Sequence, residues 1–141
     1  MLFVNDIKRA YIVCTLSALL EEINEGKEVK DIKDRLFSWE KSKFDMEHIC
    51  AQNIFNQSDS EDIPKYNGIG NLVVLERSIN RSIGDKTVDK KVDRYEDSSF
   101  VSVRRVAEQI KGSGNVWGND QVSSRCEKQE KLLCEFLGLY D

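Results

Sequence analysis

One histidine, one proline and no C-x-x-C pair stand among 141 residues. The four cysteines (Cys14, Cys50, Cys126, Cys134) are scattered, so neither a zinc knuckle nor a disulfide framework is indicated and they are expected to be reduced core residues. Long apolar runs are missing too. The longest, such as Tyr11 to Cys14 and Leu72 to Leu75, fall far short of the roughly 20 residues that a membrane helix needs. No basic n-region precedes a signal-like core, so no membrane association and a cytoplasmic location are expected. The sequence has no P-loop, no repeat and no low-complexity tract. It also has no excess of positive charge. A net charge of −4 is awkward for a protein that grips phosphates.

What is present is the composition of a globular protein, 40% hydrophobic and 33% charged, at a length suited to one domain. After the capping candidates Asn5 and Asp6, apolar residues at Ile7, Ala10, Tyr11, Cys14 and Ala18 predict a helix that stops at Gly26. Val29, Ile32 and Leu36, closed by Trp39, predict a second, shorter one. Lys43 to Ile49 reads as a strand before a loop from Asn53 to Gly70, which holds Pro64. Asn71 to Leu75 is a β-branched run of strand length. Ser78 is a candidate cap for a short helix over Ile79 to Ile83, ended by Gly84 and Asp85.

Three further helices follow from Val88, Val92 and Tyr95; from Phe100, Val103, Ala107 and Ile110; and from Val122, Cys126, Leu133 and Leu137. The expectation is an α+β fold, mostly helical. A helical flank (1–41) precedes a strand-loop-strand-helix core (42–95), and a second helical flank (96–141) completes one domain. Trp39 and Trp117 adjoin amphipathic helices and are read as core, outside any site.

His48 is the only imidazole, with Glu47 beside it and Asp45 three residues before it. Phosphodiester hydrolysis needs a base to take a proton from water and a divalent cation to neutralise charge on phosphate and leaving oxygen. Imidazole and carboxylate suit those two tasks. Adjacent strand residues face opposite ways, so Glu47 and His48 can serve one phosphate only if the chain turns at His48. The segment Arg77 to Arg94 departs from the acidic average, with six basic residues against three acidic ones, a net +3.

The residues Asp45-Met46-Glu47-His48-Ile49, then Ile69-Gly70-Asn71-Leu72, then Asn80 and Lys86, resemble the HNH (ββα-metal) endonuclease motif. The nearest resemblance is to the C-terminal nuclease module of GmrSD-type modification-dependent restriction endonucleases, over roughly Asp45 to Tyr95 with weaker echoes from Trp117 to Leu137. The resemblance implies a ββα-metal core in which His48 is the general base, Glu47 and Asn80 hold Mg²⁺ or Mn²⁺, and Asn71 braces the loop that orients His48. Lys86, Arg81 and Arg77 would contact DNA phosphates. It further implies restriction of foreign or modified DNA, and pairing with an NTP-dependent recognition domain or subunit. The chain departs from the pattern in having Cys50-Ala51-Gln52 where a proline is frequent. Residues such as Glu76 and Ile79 stand where many relatives carry zinc-binding cysteines.

Blander readings stand beside these. Glu47 can be a surface carboxylate, Asn80 a helix cap, and Asn71 an ordinary turn residue opening a strand. Lys86, Lys90, Lys91 and Arg94, interleaved with Asp85, Asp89 and Asp93, can be a solvated face. The alternative from a different class is a degenerate HNH-fold scaffold that binds protein or nucleic acid without cutting.

Overall fold

The computed structural model describes residues 6–32, 43–50 and 68–139. Helix α1 (Asp6–Asn24) and a 3-10 turn (Val29–Asp31) are followed by strand β1 (Phe44–His48), a second 3-10 turn (Ile69–Asn71) and strand β2 (Leu72–Glu76). Four helices follow: α2 (Arg77–Ile83), α3 (Val88–Tyr95), α4 (Val101–Gly112) and α5 (Asn119–Phe136). The fold is α+β and mostly helical, with strand, strand and helix in the expected order, and of the loop expected from Asn53 to Gly70 residues 53–67 lie outside the described residues.

The two strands pair antiparallel, Phe44 opposite Glu76 and His48 opposite Leu72. Backbone bonds prolong the ladder at both ends, from Ile49 N–H to Asn71 O at 2.9 Å and from Arg77 N–H to Lys43 O at 2.8 Å. A lone two-stranded ribbon is marginal in water. Here Leu72, Val73, Val74 and Leu75 are all buried, because α1 and α4 join α2 in packing against β2. That burial on both faces explains an apolar run where a half-exposed strand would alternate. At Gly84 the backbone takes φ +51°, a left-handed value that a side chain would resist, and the chain passes from α2 into α3 there.

Several sequence expectations need correction. Of the expected stripe on α1, Cys14 is buried but Tyr11 is exposed, and Val13, Thr15, Leu16 and Ser17 are buried in succession with Cys14. Helix α1 packs against α4, β2 and α5 together, so burial extends round the helix and no single stripe marks it. The predicted second helix is a single 3-10 turn as far as Ile32, and its remainder, with Trp39, lies outside the described residues. Asn71 belongs to the turn before β2, and α2 begins at Arg77, ahead of the cap proposed at Ser78. On α5 the buried residues are Val122, Arg125 and Gln129, whereas Leu137 is exposed.

All four cysteines are free, but only Cys14 and Cys50 are buried. Burial pushes the Cys14 thiol up to about 12 and raises that of Cys50 as well. Burial and Glu130 raise the Cys126 thiol as well, so native protein treated with iodoacetamide at mildly alkaline pH is expected to be alkylated at partly exposed Cys134 well before buried Cys14 and Cys50. Peptide mass mapping against time checks this, and early modification of Cys14 would contradict the packing of α1.

Candidate active site

The turn that precedes β2 places Asn71 completely inside the protein. Its side chain clasps the backbone of Cys50: Oδ1 accepts the Cys50 N–H at 2.9 Å, and Nδ2 donates to the Cys50 carbonyl at 3.2 Å. An amide has one acceptor and one donor end, so it can copy a strand's pairing in this way. The clasp fixes the bend at Ile49 and Cys50, two residues beyond His48. Trp117 donates its indole N–H to the same Oδ1 at 3.3 Å, so this core residue also supports the site, contrary to its reading as core alone.

Helix α5 holds the turn from the other side. Arg125 Nη1 reaches the carbonyls of Ile69, Gly70 and Leu72 at 3.0, 3.1 and 2.9 Å, and Gln129 Nε2 donates to Ile69 O at 3.0 Å. Burial pulls the Arg125 guanidinium down to about 10, which leaves it charged at neutral pH. Gly70 makes this approach possible, since a Cβ there would lie 2.1 Å from the Val122 carbonyl oxygen.

Strand alternation puts Asp45 and Glu47 on one face of β1. Asp45 accepts from Arg77 Nε at 3.2 Å and from Asn80 Nδ2 at 3.0 Å, so α2 meets the strand there. Glu47 is buried and paired with Lys91 of α3 at 2.8 Å. Lys91 is itself only 1% exposed, and its ammonium also donates to the carbonyls of His48 and Ile49 at 3.1 and 3.2 Å. Burial raises the Glu47 carboxyl above its ordinary range. Lys91 opposes that rise, and the nearby charges of Asp85 and Asp45 add to it. The hydroxyl of fully buried Tyr95 has no hydrogen-bond partner among the described residues, and Glu47, Arg125 and Cys50 all act on it electrostatically.

His48 is half-buried and is the last residue of β1, with the bend following directly, as a turn at this position requires. Of the residues picked from the sequence, Asn80 bonds to Asp45 on the strand face that also carries Glu47, and Asn71 anchors the bend. Arg77 is half-buried against Asp45. Arg81 is exposed on α2, and Lys86 is exposed on the connection to α3, where its ammonium lies 3.4 Å from Ser82 O. Glu76 accepts from Ser98 Oγ at 2.6 Å and Ser99 N–H at 3.1 Å.

Sequence reasoning misses Asp45, Lys91, Trp117 and Arg125 as supports of the site. For Lys91 a signal exists, because it lies at i+3 from Val88 on the apolar stripe of α3.

One protein family matches residues 4–131, the C-terminal domain of GmrSD restriction endonucleases. The chain belongs to this family. No curated protein and no solved structure matches it. The match to the GmrSD C-terminal domain is wider than the motif-bearing segment Asp45 to Tyr95, taking in α1, α4 and most of α5. The helices that hold Asn71 and its turn are thus part of what is matched. Among the described residues, no helix of this GmrSD C-terminal domain is long and apolar enough to cross a membrane.

Proposed function

We propose that this GmrSD C-terminal domain is an HNH endonuclease that hydrolyses DNA phosphodiesters with a divalent cation, in restriction of foreign or modified DNA. The observation that carries the reading is the anchoring of the bend after His48. Asn71 clasps Cys50 while Lys91 takes the carbonyls of His48 and Ile49, so the backbone on the C-terminal side of the imidazole is tied from two directions. General-base catalysis needs that fixity, because the base must stay within hydrogen-bond reach of the attacking water.

In this reading His48 takes the proton from water as it attacks phosphorus, and Asn71 acts by bracing the loop. Glu47 and Asn80 are the residues that would hold Mg²⁺ or Mn²⁺. Their chemistry fits, since both offer oxygen, Lys91 occupies only Oε1 of Glu47, and Asn80 uses its nitrogen toward Asp45. No three His, Cys, Asp or Glu side chains converge as a metal cluster among the described residues. One carboxylate, one amide and retained water is a mode that Mg²⁺ tolerates. When bound, the cation supplies charge neutralisation at the phosphate and the leaving oxygen. Lys86 and Arg81, exposed at the end of α2 and after it, would meet DNA phosphates, with Arg77 beside Asp45 adding to that field.

The acidic net charge of −4 favours a partner that supplies recognition, an NTP-dependent domain or subunit. Four free cysteines suit the reducing cytoplasm.

The test is nicking of plasmid and of modified phage DNA with Mg²⁺ or Mn²⁺ at matched low salt, comparing the unaltered protein with His48→Ala. Loss of nicking by about a hundredfold or more is expected. Equal cleavage by both proteins would remove His48 from the mechanism. No cleavage by either, together with Mn²⁺ binding indifferent to Glu47→Ala, would favour a non-catalytic scaffold.

A further inference from the structure

We propose that Asp45 is a positioning residue that sets which end of the Asn80 side chain faces the cation; the proposal rests on the metal-dependent reading above. The argument begins with the carboxylate, which when ionised has only acceptors to offer. One of its oxygens receives Arg77 Nε at 3.2 Å and the other receives the Asn80 side chain at 3.0 Å. The end of the Asn80 amide that meets Asp45 must therefore be the nitrogen, because an oxygen there would face a like partial charge. With Nδ2 held, Oδ1 points away from Asp45.

A primary amide is close to symmetric in shape, so packing alone does not distinguish its two orientations. They differ completely toward a cation. One presents a carbonyl oxygen, a ligand that Mg²⁺ and Mn²⁺ accept, and the other presents two N–H donors. Asp45 selects the first before any metal arrives. Arg77 in turn fixes Asp45, so a residue first read as a phosphate contact is the base of a relay from Arg77 to Asp45 to Asn80. One bond to each of its oxygens ties Asp45 to Arg77 and Asn80, and its proposed action is through Asn80. Glu47 stands two residues along on the same strand face, which brings an oxygen ligand and the oriented amide to one side of β1.

Mn²⁺ binding tests this directly, read from the free-ion signal in electron paramagnetic resonance and so independent of nuclease activity. The proteins compared are the full chain and its Glu47→Ala, Asp45→Asn and Asp45→Asn/Asn80→Asp variants. Asp45→Asn is expected to weaken binding by about ten- to a hundredfold, the usual effect of removing an outer partner of a ligand. The double variant is expected to recover most of the loss, because the exchanged pair again joins one donor to one acceptor and the carboxylate introduced on α2 presents oxygen in either orientation. A urea midpoint of Asp45→Asn close to that of the unaltered chain, with binding weakened, separates positioning from a merely structural role.

Binding that Glu47→Ala abolishes but Asp45→Asn leaves intact would overturn the proposal while the metal site stands. Binding absent from the unaltered chain, or insensitive to Glu47→Ala, would overturn the metal site and the proposal together. Should Asp45→Asn fail to fold, nuclear magnetic resonance of the unaltered chain decides. The Nδ2 proton that Asn80 donates to Asp45 is expected to lie downfield of its free-amide position and to exchange slowly with water without metal, and free-amide shifts with fast exchange would overturn the proposal.

Discussion

Replacing Lys91 by Met is expected to destabilise the protein by about 3–5 kcal/mol, the range for removing one member of a buried ion pair. The size follows from what remains. Glu47 stays buried with its charge unopposed, and the carbonyls of His48 and Ile49 lose their shared donor, although Met fills nearly the same volume. Removing both charges should cost less than removing one, so Glu47→Gln/Lys91→Met is expected to recover a substantial part of the loss. Urea denaturation checks both variants through the midpoint, with the slope unchanged if the transition remains two-state. A shift as small as the roughly 0.5 kcal/mol of a surface substitution would show that Lys91 is not the buried tie between α3 and the end of β1. Because that tie adjoins His48, nicking by Lys91→Met should fall even where the protein remains folded.

Gly70→Ala is expected to be comparably severe, at about 3 kcal/mol or more, for a steric reason. The added methyl would lie 2.1 Å from the Val122 carbonyl oxygen and 3.0 Å from both Cys126 N and Cys126 Cβ. Those are backbone and near-backbone atoms of a helix and cannot rotate aside as a side-chain tip would. Relief requires α5 to move off the turn, which lengthens the bonds that Arg125 and Gln129 make to it. Gly118→Ala is the matched control, since the nearest atom there is the flexible Gln121 Oε1 at 3.7 Å. Calorimetric melting of the two variants should separate them clearly. Equal melting temperatures would mean that α5 does not lie against Gly70.

The strand-strand-helix order is legible in the sequence because β-branched runs, glycines and apolar spacing mark local structure directly. His48, Glu47, Asn71 and Asn80 are picked out as a set by the resemblance to the HNH motif, through its order and spacing. What each of them touches is not. Lys91 reads as one of several exposed cations because basic residues are rarely buried. Yet the stripe Val88, Lys91, Val92, Tyr95 places it inward, and a buried carboxylate with two carbonyls satisfies it there. Arg125 and Gln129 escape notice on α5 for a related reason: apolar periodicity cannot register polar residues whose partners are carbonyls more than fifty positions away. Asp45 stands out only as part of a motif, since nothing local foretells that Arg77 and Asn80 return to it. Tyr11 shows the opposite error, an aromatic at core spacing that faces outward because α1 is buried on other sides.

The hold of α5 on the Asn71 turn also orders events during synthesis. The carbonyls of Ile69, Gly70 and Leu72 find their donor in a residue made 53 to 56 positions later. Until Arg125 has left the ribosome and its helix has docked, the turn lacks that clamp, however complete the two strands already are. Long-range closures of this kind come late in folding, after local helices have formed. Elongation thus delays the finished arrangement around His48 until nearly the whole described chain has been made, so that a nascent chain stalled before α5 carries the motif residues without the means to hold them.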